Sequence, residues 1–287
     1  MAASDFLHLA RPRDWAKQVF VLMPIPFALK AGGVFKPVPF ALGVAAISLV
    51  SSAVYALNDA MDAERDRLHD KKRERPVAAG RISKSAALAF AGVLLAAGVL
   101  CAVASQVHAA MLVIAAYVAK ELLYQFGLKH VPLVDVFLLS AGFVLRVILG
   151  AELVGTHPSN WLLLCSSTLA LFISLAKRRS ELARGMDAAH RPALEGYSVA
   201  YLDQAMTVTA GMILIAYALY CIEASVLISG REFASLPFVV FGVLEYLRLV
   251  QVRGEGGSPI DLLLASPAIV VCGLGWTLAS FWSVGLP

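Results

Sequence analysis

Val44-Ala-Ala-Ile-Ser-Leu-Val-Ser-Ser-Ala-Val-Tyr-Ala-Leu57 carries no charge and runs straight into Asn58-Asp59-Ala-Met-Asp62-Ala-Glu-Arg-Asp66. The uncharged tract reaches back to Pro37, long enough for a helix to cross a hydrocarbon core, which takes ~20 apolar residues. Its first acids stand at the mouth of the span, where charge is costly unless something neutralises it. This junction predicts a membrane helix that delivers a group of oxygen ligands to one face of the bilayer.

The rest of the chain agrees. Of 287 residues, 59% are AVILMFWYC and only 15% are charged, against about 25% charged in soluble domains. The charges bunch into a few loops. Nine spans are expected, at roughly 16–31, 38–58, 84–105, 109–127, 132–153, 160–177, 205–225, 233–250 and 261–283. These lengths suit helices, whereas a barrel would show short alternating strands. The fold class is therefore all-α, a polytopic bundle forming one transmembrane catalytic domain over 1–287. The run Val19–Leu29 contains Pro24 and Pro26 and has no small-residue cleavage site after it. It reads as the first membrane helix rather than a signal peptide.

With the N-terminus inside, 19 of the 24 Lys and Arg fall on the inner side, 3 outside, and Lys120 and Arg146 within spans. That asymmetry orients the chain in the plasma (inner) membrane. Two long polar loops, 59–83 and 178–203, then face the cytoplasm, and the active site is expected there. The net charge of +4 is explained by orientation, and no nucleic-acid partner is expected. Cys101, Cys165, Cys221 and Cys272 lie in apolar runs without a CxxC pair, so neither disulfide nor zinc is expected. The six histidines are scattered, and no HExxH, GxSxG, P-loop or dinucleotide fingerprint occurs.

Three constellations carry chemistry. On one helix, Asn58, Asp59, Asp62 and Asp66 would share an arc of roughly 100°. Such a patch suits Mg²⁺, which takes oxygen ligands and bridges carboxylates to substrate phosphates. Lys71, Lys72, Arg73 and Arg75 follow and suit phosphate oxygens. The alternative is a solvated loop of paired acids and bases. The second constellation is Lys177-Arg178-Arg179-Ser180-Glu181, in which Lys177 and Glu181 are four apart and share a helix face. Its alternative is a basic anchor at a span end. The third is Tyr124-Gln-Phe-Gly-Leu-Lys129 with Asp135 and Arg146. The last two lie about 20° apart on a helix, and their alternative is a buried ion pair. Lys120-Glu121 reads as a similar pair.

Nine spans with N-D-x-x-D-x-x-x-D after the second resemble the UbiA superfamily of intramembrane transferases. The resemblance covers essentially the whole chain, including Arg11-Pro-Arg-Asp-Trp-Ala-Lys17 before the first span. Typical members carry a second acidic motif, D-x-x-x-D, after span six. Here the corresponding stretch is Lys177-Arg-Arg-Ser-Glu181, a departure that is similar to the superfamily's phosphoribosyltransferase branch. So are Lys72-Arg-Glu-Arg-Pro76 and Phe126-Gly-Leu-Lys-His130.

That resemblance implies a Mg²⁺-dependent enzyme. It would move 5-phosphoribosyl from phosphoribosyl diphosphate to a polyprenyl phosphate of the decaprenyl-phosphate kind, toward cell-wall arabinan precursors. Asp59, Asp62 and Asp66 would be catalytic and, with Asn58, metal-binding. Lys17, Asn58, Lys72, Arg73, Arg75, Tyr124, Lys129, Asp135, Arg146, Lys177, Arg178 and Glu181 would bind substrate. Lys177, Arg178 and Arg179 would supply the basic patch for the sugar 5-phosphate. Two other readings stand beside it: prenyl transfer to an aromatic or other small acceptor, and a transporter. The sequence leaves homo-oligomerisation open.

Overall fold

The computed structural model describes residues 3–68, 72–185, 192–255, 262 and 265–285. Lys71 of the expected basic tract lies outside them. The described residues form helices and turns with no strand.

A short helix α1 (Ala3–Ala10) leads into a 3-10 segment, Pro12–Gln18, and then into α2 (Val19–Leu22) and α3 (Ile25–Lys30). The first expected span is thus built in pieces. Pro24 and Pro26 each lack an amide hydrogen, and the helix restarts around them. Beyond it come α4 (Pro37–Met61), the short α5 (Ala63–Arg67), α6 (Lys84–Ala104), α7 (His108–Gln125), α8 (Val134–Leu153), α9 (Asn160–Ala183), α10 (Val199–Glu223), α11 (Leu236–Val252) and α12 (Pro267–Val284). Among the described residues, the nine expected passages are the segmented one and eight unbroken helices. Six of these (α4, α6, α8, α9, α10 and α12) are long and apolar enough to cross a membrane. The helix α11 has only 17 residues, and α7 carries His108, Lys120 and Glu121.

Local sequence explains the boundaries. Ser83, Ser159, Ser198 and Ser266 each accept the backbone N–H three residues on, satisfying a donor that a helix start leaves unpaired. Pro37 and Pro267 open α4 and α12, where a missing N–H costs nothing. The helix α4 does not continue through the acidic motif. It stops at Met61, Asp62 takes a non-helical backbone (φ −92°, ψ 3°), and α5 begins at Ala63. The expected single helix face from Asn58 to Asp66 is therefore broken in the middle.

Two larger cores dominate the packing of the described residues. One joins α8, α9, α10 and α11 through Val136, Val147, Phe172, Leu202, Met206 and Leu249. The other joins α4, α6, α7 and α8 through Ile47, Val50, Ala102, Ile114 and Leu149. The segmented first passage wedges against α8, where Gly150 is required: a Cβ there would stand 2.0 Å from the Val21 carbonyl oxygen. Large apolar side chains such as Leu100, Leu112, Val208, Ile215 and Leu278 remain exposed on the perimeter. In water such a surface would be costly; against lipid tails it is not.

Candidate functional site

The charged end of the bundle is organised by the N-terminal arm. Pro12 disfavours right-handed helical backbone at the residue before it, and Arg11 sits in the left-handed region (φ 51°, ψ 58°). This kink turns the chain across the end of α4. Ser52 fastens it there, accepting from Trp15 Nε1 at 3.0 Å and donating to the Ala10 carbonyl at 2.6 Å. Arg11 Nη2 then donates to Asp59 Oδ1 at 2.6 Å. Lys17 Nζ donates to the Tyr55 hydroxyl at 2.7 Å and pairs with Asp14 at 2.6 Å. The Tyr55 ring lies 5.0 Å from the Arg11 guanidinium and 5.2 Å from the Lys17 ammonium, within cation–π range.

The expected acidic group is assembled, but in two parts. Asp59, only 2% exposed, and Asp66 are bridged by Arg75, whose Nη1 donates to Asp59 Oδ1 at 3.1 Å and to Asp66 Oδ2 at 2.7 Å. Lys72 Nζ stands 4.0 Å from Asp66. Asp62, at the helix break, pairs instead with Lys129, which lies 3.3 Å from both carboxylate oxygens and 3.1 Å from Gln125 Oε1. The Asn58 side-chain oxygen is buried and, among the described residues, has no hydrogen-bond partner. Arg73 is exposed and, among the described residues, forms no ion pair with the acids. Burial, then the neighbouring Lys129 ammonium, lowers the pKa of His130.

The donor chemistry fits a hard divalent cation: three carboxylates and an amide oxygen, with that oxygen buried and unsatisfied. Among the described residues, however, no three acidic, histidine or cysteine side chains converge as a metal cage. Arg75 and Lys129 neutralise the carboxylates in this arrangement.

The second expected constellation is arranged differently from its reading. Arg178 is fully buried, with its Nε on Asp135 and its Nη1 on Glu181. Its Nη2 donates to the Tyr124 hydroxyl at 3.3 Å. Asp135 also accepts from the Tyr197 hydroxyl at 2.7 Å. Burial raises that phenol's pKa, so it stays a neutral donor. Asp135 therefore pairs with Arg178 and not with Arg146, and Glu181 pairs with Arg178 rather than Lys177. Arg179 is engaged by Asp203 at 3.0 Å and by the Val250 and Gln251 carbonyls. The expected three-residue basic patch reduces to Lys177. Among the described residues it has no hydrogen-bond or ion-pair partner, and it lies within electrostatic range of Glu181 first, then Arg178, Lys17 and Asp14.

Deeper in the bundle, Arg146 is buried among α8, α4, α7 and the arm. It donates to Gln18 Oε1 at 3.2 Å, the Gly142 carbonyl at 2.6 Å, Ser51 Oγ at 3.0 Å and the Tyr117 hydroxyl at 3.2 Å. Two cavities flank the Asn58–Asp59 step. One of about 520 Å³ is bordered by Asp59, Arg11, Arg75 and Arg81. The other, about 230 Å³, is bordered by Asn58, Glu121 and apolar side chains of α4, α6 and α7.

Several participants escape the motif reading. Tyr55, Tyr117 and Tyr197 reach the site through tertiary contacts that no local pattern announces, and Arg11, which lies in the Arg11–Lys17 stretch, carries no site role in the motif reading yet reaches Asp59. Only the Arg11-Pro12 junction signals a backbone kink in the sequence itself.

The sequence pattern of the UbiA prenyltransferase family matches residues 19–255. Decaprenyl-phosphate phosphoribosyltransferase from Corynebacterium glutamicum is 32% identical, over 98% of this chain and 87% of that protein. The protein of the same name from Mycobacterium tuberculosis is 35% identical, over 93% and 89%. A UbiA homolog from Archaeoglobus fulgidus, solved bound to GPP and Mg²⁺, superimposes with a TM-score of 0.76 at 20% identity, covering 98% of this chain and all of that one.

Proposed function

Because the chain belongs to the UbiA prenyltransferase family, we propose that it transfers a 5-phosphoribosyl group from phosphoribosyl diphosphate to a polyprenyl phosphate, with release of diphosphate. The observation that carries this reading is the pairing of two unlike walls at one end of the bundle. One wall is acidic, Asp59, Asp62 and Asp66. The other is basic, Lys17 with the unpaired Lys177. A prenyl diphosphate carries charge at one end only. Phosphoribosyl diphosphate carries a diphosphate at C1 and a phosphate at C5, and so matches both walls. The names of the relatives above point the same way.

In this reading Asp59, Asp62 and Asp66, with Asn58, would hold Mg²⁺, which would supply positive charge against the departing diphosphate. Arg75, Lys72 and Lys129 serve diphosphate oxygens that the cation leaves free. Lys17 and Lys177 hold the 5-phosphate, and Arg146 adds positive potential beneath it. Arg178, Asp135, Glu181 and Tyr124 position the end of α9 and hence Lys177.

The bond from C1 to the diphosphate oxygen breaks, and the leaving group keeps the electron pair. A phosphate oxygen of the lipid forms the new bond to C1 from the opposite face, inverting that centre. The acceptor phosphate is already ionised near neutral pH, so the site needs positioning and electrostatics more than a strong base. The acidic end faces the cytoplasm of the inner (plasma) membrane, and the lipid enters sideways from the bilayer. The product would serve arabinan-type cell-wall precursors. The direct test is incubation of purified protein with ribose-labelled phosphoribosyl diphosphate, polyprenyl phosphate and Mg²⁺. Label should appear in the lipid, and absence of labelled lipid under those conditions rejects the reading.

A further inference from the structure

Lys120 and Arg146 lie side by side inside the bundle with too little negative charge around them. A Cβ on Gly142 would stand 3.1 Å from Lys120 Nζ and 3.6 Å from Arg146 Nη1, so both cations border one small volume. The Tyr117 ring lies 4.9 Å from each of them. Arg146 is 4% exposed and Lys120 is 9%.

The charges do not balance locally. All four acceptors on Arg146 are neutral: an amide oxygen, a backbone carbonyl and two hydroxyls. Lys120 has one carboxylate, Glu121, at 2.5 Å. Lys17 adds another cation within electrostatic range, already paired with Asp14. An uncompensated cation in a membrane bundle is costly, and intramembrane ionisable groups usually mark a site.

Donors also remain. A guanidinium offers five N–H groups. Arg146 uses Nε, both Nη2 hydrogens and one on Nη1, leaving an Nη1 hydrogen beside Lys120. Lys120 offers three hydrogens on a flexible four-carbon stem, and Glu121 takes one.

We propose that Lys120 and Arg146, backed by Tyr117, form an anion subsite deep in the bundle that binds a phosphate monoester, with Gly142 leaving the space the Lys120 ammonium occupies. The choice of ligand class rests on the transferase reading above, in which two substrates carry such a group. These are the lipid acceptor and the sugar donor, whose C5 phosphate Lys120 and Arg146 would share, from beneath, with Lys17 and Lys177.

The test is binding, not turnover, so it is separate from whether transfer occurs. Full-length protein in detergent is titrated calorimetrically with ribose 5-phosphate and, separately, with a short-chain isoprenyl monophosphate. Wild type, K120M, K120R and G142A are compared. K120M removes the charge at similar length. G142A keeps the charge but shifts the ammonium by a few tenths of an ångström, and it carries the test if K120M does not fold. K120M should weaken one of the two ligands at least about tenfold and G142A should weaken the same ligand by a smaller factor, while K120R stays within about threefold of wild type. The ligand that is weakened identifies the source of the phosphate. Unchanged binding of both ligands overturns the proposal, as does equal loss of both in all three variants.

Discussion

Arg178 and Asp135 form an ion pair between α9 and α8 in which both side chains are completely buried. The pair is completed by Glu181 and Tyr124 on the guanidinium and by Tyr197 on the carboxylate, so together the two side chains tie α7, α8, α9 and the segment before α10. This contact sets where the end of α9, and with it Lys177, can lie.

Removing one partner of such a pair leaves an unpaired buried charge. Arg178→Met should therefore cost about 3–5 kcal/mol of stability. The double variant Arg178→Met with Asp135→Leu should lose less than the two single losses added together. Thermal unfolding in detergent reads this. Strict additivity would show that the pair is not coupled as the geometry indicates.

Of the three carboxylates Asp62 is held least tightly: among the described residues its one ion-pair partner is Lys129, at 3.3 Å. Asp62→Asn should leave the melting temperature nearly unchanged and abolish turnover. Loss of stability comparable to that of Arg178→Met would instead give Asp62 a structural role. Retained turnover would remove it from the metal-binding set.

Lys177 is assigned to the sugar phosphate. Its replacement by alanine removes a charge-assisted contact of about 1.5–3 kcal/mol, or roughly 10- to 150-fold in affinity. The KM for phosphoribosyl diphosphate should rise by that order while the KM for the lipid moves little. Equal rises in both constants would argue against the assignment.

Arg73 makes the opposite prediction. It is exposed and makes no ion pair with the acids, unlike Arg75 two residues on. Arg73→Ala should change stability by less than about 0.5 kcal/mol and leave kcat/KM within a few fold. Arg75→Ala should cost both stability and activity, because it strands Asp59 and Asp66. Steady-state kinetics on the two variants side by side decide this.

Much of the architecture is legible in the sequence because membranes impose simple rules. Uncharged tracts of sufficient length must be helices, and the spans at α4, α6 and α8 appear where hydropathy puts them. The acidic junction is legible for the same reason, since charge at a span mouth demands an explanation. Pairing is harder to read. Helical spacing puts Asp135 near Arg146, yet the tertiary fold brings Arg178 to Asp135; on α9 itself the i,i+3 neighbour Arg178, not the i,i+4 Lys177, takes Glu181. Spacing within one helix describes faces, not what packs against them. Nor does periodicity foresee the break at Asp62, where the backbone leaves the helix within the motif itself. Arg11 is placed by a left-handed residue before proline, a local effect that decides a contact 48 positions away.

The central claim is the identity of the donor. Diphosphate release should be measured with purified protein, Mg²⁺ and a polyprenyl phosphate against a panel containing phosphoribosyl diphosphate and geranyl, farnesyl and geranylgeranyl diphosphates. The account predicts lipid-dependent release from phosphoribosyl diphosphate and none above background from the prenyl diphosphates. Release from a prenyl diphosphate, with phosphoribosyl diphosphate inert, would contradict it.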